Sequence, residues 1–324
     1  MQNFHNLLRS VLENGHSQFN ARTGKKCLAV VGCQLQYDMA DGFPAITTKK
    51  LAFNGVKGEL LGFFRGYTNA ADFRALGCGV WDLNANATPA WLANPYRLGE
   101  DDLGPIYGKQ WTDWAAYREL ASGDSAAADR LFEDGFRLVC DDGRISVFCK
   151  GINQLENALR KLISDPSDRR IIVSGWNVGE LDMMALPPCH MDYRFVAFDG
   201  PAPDSPKVLH VVMTIRSWDL FLGAPFNIAS TSIFLAIMAR LVGMTPGTVT
   251  IQATNAHIYA DHFDQVREQL SRDHLPPPAL RLSDCIKPVC NLEDIPGIFA
   301  RIEPEDIALE GYQSHAAIKA PMAA

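Results

Sequence analysis

The stretch "STSIFLAIMARLVGM", residues 230–244, constrains the fold of this chain more than any other. Apolar side chains surround most of its circumference, so the helix it predicts must be buried on nearly all sides. Strand-like segments lie before and after it, "VLHVVMTIRS" and "TVTIQAT". Alternation in the first places Leu209, Val211, Met213 and Ile215 on one face and His210, Val212, Thr214 and Arg216 on the other. "CLAVVGCQLQYDM", "RIIVSGW" and "MDYRFVAF" predict further strands. Helices are expected over 4–12, where Phe4, Leu7, Leu8, Val11 and Leu12 form a stripe ended by Gly15, and over Val56–Arg65 and 155–164. Helices and strands mix without clean βα alternation, which favours an α+β fold with a mixed sheet over a doubly wound one.

A chain of 324 residues can bury a sizeable core, and we read it as one domain spanning 1–324. Within it, the interval from about 84 to 150 is rich in Ala, Asp, Gly and Arg and weakly periodic, and predicts a smaller inserted lobe. The formal net charge of −7 argues against a general nucleic-acid binder, so an anionic ligand must be caught by a local arginine cluster. Eight cysteines without a CxxC pair read as neither a disulfide framework nor a zinc site. The first residues lack the basic flank and apolar run of a signal peptide, and the apolar run at 233–244 is short and carries Arg240. The expectation is a reduced, soluble, cytoplasmic protein.

Candidate chemistry begins at "LPPCH", where Pro187 and Pro188 stiffen the backbone just before Cys189. The thiol is either a small buried hydrophobe or a nucleophile held out on a rigid support, and the second reading requires nearby positive charge. Arg169 and Arg170 stand at the mouth of an apolar strand, and Arg216 lies inside another. An arginine there implies an anionic partner, either a carboxylate such as Asp219 or a bound phosphate, which suits the guanidinium fork. Glu59 sits on the helix stripe that should face the core, so it is either a structural carboxylate or one held for proton chemistry. His257 and Tyr259, two apart in a strand, would share a face, and no metal motif is visible.

The segments "DGFPAITTKK", "DLGPIYGKQW", "DRRIIVSGWNVGELDMMALPPCH", "RSWDLFLGAPFNIAS", "AHIYADHFDQ" and "GYQSHAAIKAPMAA" together resemble the thymidylate synthase family. The resemblance runs from the first helix to the last residue, interrupted mainly within 84–158. It implies a homodimer that methylates dUMP with methylenetetrahydrofolate as one-carbon and hydride donor, without a metal. Cys189 matches the nucleophile that adds to pyrimidine carbon 6, and Arg216 the residue that touches both phosphate and thiolate. Arg22 and Ser217 match phosphate ligands, and Arg169 and Arg170 the pair that reaches the partner's phosphate across the dimer. Asn227 matches the amide that reads the pyrimidine edge and points to dUMP rather than dCMP, while His257 and Tyr259 match contacts to the sugar 3′-hydroxyl. Glu59 and Tyr107 match groups that move protons. Asp219 matches a group shared by the reaction, the nucleotide and the pterin, and Trp81, Leu222 and Phe226 match the apolar folate side. The ending matches a mobile tail that closes the site, with Ala323 near the folate and Ala324 supplying the final carboxylate.

Several positions depart from the family pattern: Ala52, Gly62, Asn84, Ile215 and Trp218, the last where a small residue is usual. Most bear on the folate side or on support of the site. Three other readings remain open at this point: a dUMP hydroxymethylase of the same family, a Cys189–His190 hydrolase, and a secondary role in binding messenger RNA. Adjacent residues in a strand point to opposite faces, which weighs against the hydrolase pair.

Overall fold

A computed structural model of the chain describes residues 1–21 and 23–322. The chain opens with α1 (Gln2–Asn14), β1 (His16–Asn20), β2 (Lys25–Asp38), α2 (Phe53–Phe64) and the short α3 (Ala70–Ala75), α4 (Asp82–Asn86), α5 (Pro89–Leu92) and α6 (Tyr107–Thr112). It continues through β3 (Trp114–Ala121), α7 (Ser125–Glu133), β4 (Arg137–Asp141), β5 (Ile145–Ile152) and α8 (Gln154–Ser164). The last part holds β6 (Ile172–Ser174), β7 (His190–Phe198), β8 (Val208–Asp219), α9 (Gly223–Leu241), β9 (Thr245–Tyr259), α10 (Phe263–Leu270), β10 (Ala279–Leu282) and β11 (Ile307–Glu310). Six strands form the main sheet in the order β1-β2-β9-β8-β7-β6. Only β8 and β9 run parallel, the remaining pairs being antiparallel, so the sheet is mixed and the architecture α+β.

The helix that the sequence requires to be buried is α9. Its residues Ile228 to Ala239 are buried without interruption, and it packs on β8, β9 and α2. Its length and composition would suit a membrane span, but 83% of the apolar window is buried inside this fold. The helix begins seven residues before the periodic stretch, at Gly223. Pro225 falls within the first turn, where the missing N–H would have had no helical acceptor. The buried hydroxyls of Thr231 and Ser232 donate to the carbonyls of Asn227 and Ile228, which satisfies them inside the apolar layer.

In β8 the expected alternation holds, with Leu209, Val211, Met213 and Ile215 at most 1% exposed beneath α9. β9 runs to Tyr259, five residues beyond its periodic stretch, and carries His257 and Tyr259 on one face. β6 is shorter than its apolar run predicts. It is an edge strand, and the Gln154 side chain takes a neighbour's place by bonding both the N–H and the carbonyl of Ser174. α8 is fixed by Asn153, which caps the Glu156 N–H, and by the buried stripe Leu155, Ala158, Leu159 and Leu162.

The weakly periodic interval divides in two. Ala85, Trp91, Leu103, Ile106 and Trp111 are buried in the main core, so the first part packs with α2 and α8. Residues 114–152 instead make their own three-stranded sheet, β3-β5-β4, which α7 meets through Phe132 against Phe148. Composition hid the division because the core positions in the first part are spaced along short helices and turns. Gly62 also has a packing reason: a Cβ there would lie 2.3 Å from the Phe73 ring, which fills the space a larger side chain would need.

Candidate active site

The C-terminal ends of the parallel pair β8 and β9 open into a cavity of about 440 Å³. Ser217 and Asp219 come from β8, His257 and Tyr259 from β9, Phe226 and Asn227 from the first turns of α9, Glu59 from α2 and Tyr107 from α6. Cys189 borders the same space just before β7, and Trp81 and Leu222 add apolar wall. Eleven of the residues singled out in the sequence therefore meet at one cavity. Arg216 is half-buried next to Ser217 in β8 and is not among the lining residues, and Arg169 and Arg170 lie in the exposed turn before β6. Arg22, Ala323 and Ala324 lie outside the described residues.

Cys189 is held by its backbone on both sides. Its N–H donates to the Tyr107 hydroxyl at 2.6 Å, and its carbonyl accepts from the Arg216 N–H at 3.0 Å. The Arg216 guanidinium then donates through Nε to the Pro188 carbonyl at 2.9 Å and through Nη2 to the Pro187 carbonyl at 2.7 Å. The prolines thus stiffen the chain and also aim two carbonyls at the arginine. Arg216 has no carboxylate partner among the described residues, so the structural ion pair with Asp219 does not form. Asp219 instead accepts from the N–H groups of Phe221 and Leu222.

Glu59 is 8% exposed, and burial pushes its carboxyl up to about 7. The Trp81 indole offsets part of this shift, although its N–H lacks a well-formed hydrogen bond. Tyr107 is held well above the ordinary phenol range, first by burial and then by the neighbouring Cys189. His257 bonds Asn255 through Nδ1 at 2.9 Å, and burial lowers its pKa, with the Asp219 charge opposing. His190 borders the cavity beside Cys189, where the β7–β8 register shifts, but its two nitrogens face Asn227 and Tyr193. It is therefore not paired with the thiol, which removes the geometric basis of a Cys–His hydrolase.

One group at the cavity escaped the sequence reading. Lys49 is 6% exposed, donates to the Phe221 carbonyl at 2.5 Å and sits 3.6 Å over the Phe221 ring. Burial brings it down to about 8, with Asp219 opposing. The tail contributes Ile318 and Met322. It is strapped to residues 46–51 by the Tyr312 hydroxyl, which donates to the Ile46 carbonyl and accepts from the Leu51 N–H, and by the His315 N–H on the Thr47 carbonyl. Ala52 and Asn84, both departures from the family pattern, also border the cavity. Among the described residues no group of three or more His, Cys, Asp or Glu could hold a metal ion.

The family model described as thymidylate synthase matches residues 2–324. The chain is 42% identical to a thymidylate synthase of Pseudomonas syringae pv. tomato and 43% identical to one of Bordetella parapertussis, each over the whole of both chains. It is 36% identical to a thymidylate synthase of Vibrio vulnificus over 99% of each. Full-length identity at this level, joined to a cavity where the thiol, amide and carboxylates meet, places the chain in the thymidylate synthase family, whose members convert dUMP to dTMP with methylenetetrahydrofolate.

Proposed function

We propose that Cys189 carries this reductive methylation by adding to carbon 6 of the dUMP ring, which makes carbon 5 nucleophilic. The observation that carries the assignment is the convergence on one cavity of Cys189 with Asn227, His257, Tyr259, Glu59 and Tyr107. In this reading Asn227 donates to the 4-carbonyl and accepts from the ring N–H, and His257 and Tyr259 hold the sugar. Arg216 and Ser217 bind the phosphate, with Arg22 as a further ligand. Glu59, poised near neutrality by burial, passes protons around the pyrimidine, and Tyr107 assists removal of the carbon 5 proton.

Trp81, Leu222 and Phe226, with Ile318 and Met322 from the tail, make an apolar wall that fits a flat pterin, and Asp219 is the carboxylate beside it. When bound, the folate supplies the one-carbon unit and the hydride. The tail excludes water over the closed site.

The enzyme acts as a cytoplasmic homodimer in this reading. The outer face of the main sheet leaves Ile172, Val196 and Phe198 exposed, a patch of apolar surface suited to a second copy. Arg169 and Arg170 would then reach the partner's phosphate site.

The test is to supply dUMP and methylenetetrahydrofolate and identify both products from the native protein and from Cys189→Ala. The native protein should yield dTMP and dihydrofolate, and Cys189→Ala should bind dUMP without turnover. Hydroxymethyl-dUMP with tetrahydrofolate, or unchanged turnover by Cys189→Ala, would overturn the assignment.

A further inference from the structure

The Asn227 amide is bonded from behind at both ends. Its Oδ1 lies 3.1 Å from Trp218 Nε1, and its Nδ2 lies 2.8 Å from His190 Nε2. An indole nitrogen can only donate, so the amide atom facing it must be the oxygen. Nδ2 then donates to His190 Nε2, which must carry no proton. The imidazole proton therefore sits on Nδ1, 3.1 Å from the Tyr193 hydroxyl. That hydroxyl meets Thr231, whose own hydroxyl donates to the Asn227 backbone carbonyl at 2.7 Å. These groups make a ring that begins and ends at Asn227, with a well-formed hydrogen bond at each step except the one from Tyr193 to Thr231.

This ring is buried throughout: Trp218 and Thr231 are fully buried, Tyr193 is 2% exposed and His190 5%. Burial also pushes His190 down to about 4, so it is neutral at ordinary pH, as the bonding requires. Most members of the ring are reversible. The imidazole can exchange tautomers, and the Tyr193 and Thr231 hydroxyls can turn. Left to themselves they would follow an inverted Asn227 amide at small cost. The indole N–H alone cannot reverse, and inversion would set it against the amide N–H₂ as an unsatisfied buried donor.

We propose that Trp218 is a positioning residue that sets the sense of the Asn227 amide, and that the choice of uracil over cytosine is thereby fixed from outside the pocket. With one bond taken at each end, Asn227 keeps one lone pair on Oδ1 and one hydrogen on Nδ2, which are what the uracil N–H and 4-carbonyl require. Cytosine requires the inverted pair. An unsatisfied buried donor disfavours the inverted amide by roughly 10- to 100-fold. The inference rests on the reading of Asn227 as the residue that meets the pyrimidine edge.

The experiment compares equilibrium binding of dUMP and dCMP to the native protein, Trp218→Phe, Tyr193→Phe and Asn227→Asp. Trp218→Phe keeps the buried ring but removes the donor, and should raise the dCMP-to-dUMP affinity ratio roughly 10-fold, chiefly by a gain for dCMP. Tyr193→Phe interrupts only the reversible part and should leave the ratio within about 2-fold. An unchanged ratio in Trp218→Phe overturns the inference; if Asn227→Asp still moves the ratio, the edge reading survives it. If Asn227→Asp leaves the ratio unmoved as well, the edge reading itself falls. Nitrogen NMR of histidine-labelled native protein needs no variant to fold. It should find His190 protonated on Nδ1, and a proton on Nε2 would refute the proposed sense of the ring.

Discussion

The backbone N–H of Arg216 donates to the carbonyl of Cys189 at 3.0 Å, joining the end of β8 to the segment that presents the thiol. The guanidinium extends the same link to the two proline carbonyls ahead of it. This makes a definite demand on the side chain, because two carbonyls are met by two nitrogens of one planar fork. Arg216→Lys keeps the charge and loses the fork. We expect kcat/KM to fall by roughly 10- to 100-fold, the value of one lost charge-assisted bond, with the fold retained. Steady-state kinetics beside a thermal melt checks this, and a variant keeping more than half the native kcat/KM would refute it.

Glu59 should leave a mark on stability as well as on rate. Burial raises its folded-state value to about 7, so the folded protein keeps a proton that the unfolded chain has already released. The stabilising share is complete below the ordinary glutamate range and is lost as pH rises through about 7. Glu59→Gln has no proton to lose. Its stability relative to the native protein should therefore grow from about pH 5 to about pH 8, by up to about 3 kcal/mol. Parallel denaturation curves at the two ends measure the difference, and a gap that stays flat would show that Glu59 is not buried as a neutral acid.

Much of this is legible in the sequence. Period-two alternation found β8 because one of its faces lies under α9, and the fully apolar helix announced its own burial. Cys189 and Glu59 were visible because each is an odd residue for its local pattern, whereas Asn227 was visible only through the resemblance of "PFNIAS" to the family. What could not be read depends on residues distant in sequence that meet in space. The Trp218 indole showed only as a departure from a family pattern, and its bond to Asn227 needs both the end of β8 and the first turns of α9. Lys49 looked like one of two ordinary lysines until the fold closed Phe221 over it. The start of α9 was hidden because glycine and proline suit a first helical turn as well as a loop.

Arg272 ties the tail to the cavity wall. Its Nη1 donates to the Thr48 carbonyl at 2.9 Å and to the Ala316 carbonyl at 2.6 Å, next to Lys49 on one side and two residues from Ile318 on the other. Arg272→Ala should loosen the tail without disturbing Cys189 or Asn227. The KM for methylenetetrahydrofolate should rise roughly 3- to 10-fold, while the Kd for dUMP alone stays unchanged. An unchanged folate KM, or an equal loss of dUMP affinity, would separate the tail from folate closure.

Arg169 makes no side-chain bond among the described residues, and Arg170 is held at 2.8 Å by Asp168 in the same turn. Neither borders its own chain's cavity, and in the proposed reading their phosphate role is to a second copy. Two inactive variants can test this together. Cys189→Ala lacks the nucleophile but keeps the arginines, whereas the double variant Arg169→Ala, Arg170→Ala keeps the nucleophile. In a mixed dimer one site receives an intact Cys189 and the partner's intact arginines, and the other site receives neither. Equal mixing after dissociation should therefore restore about a quarter of native activity, from statistical pairing in a two-fold dimer. Each parent variant measured alone sets the background. No recovery above that background, in a mixture shown by mass to contain the mixed dimer, would place the two arginines outside the partner's site.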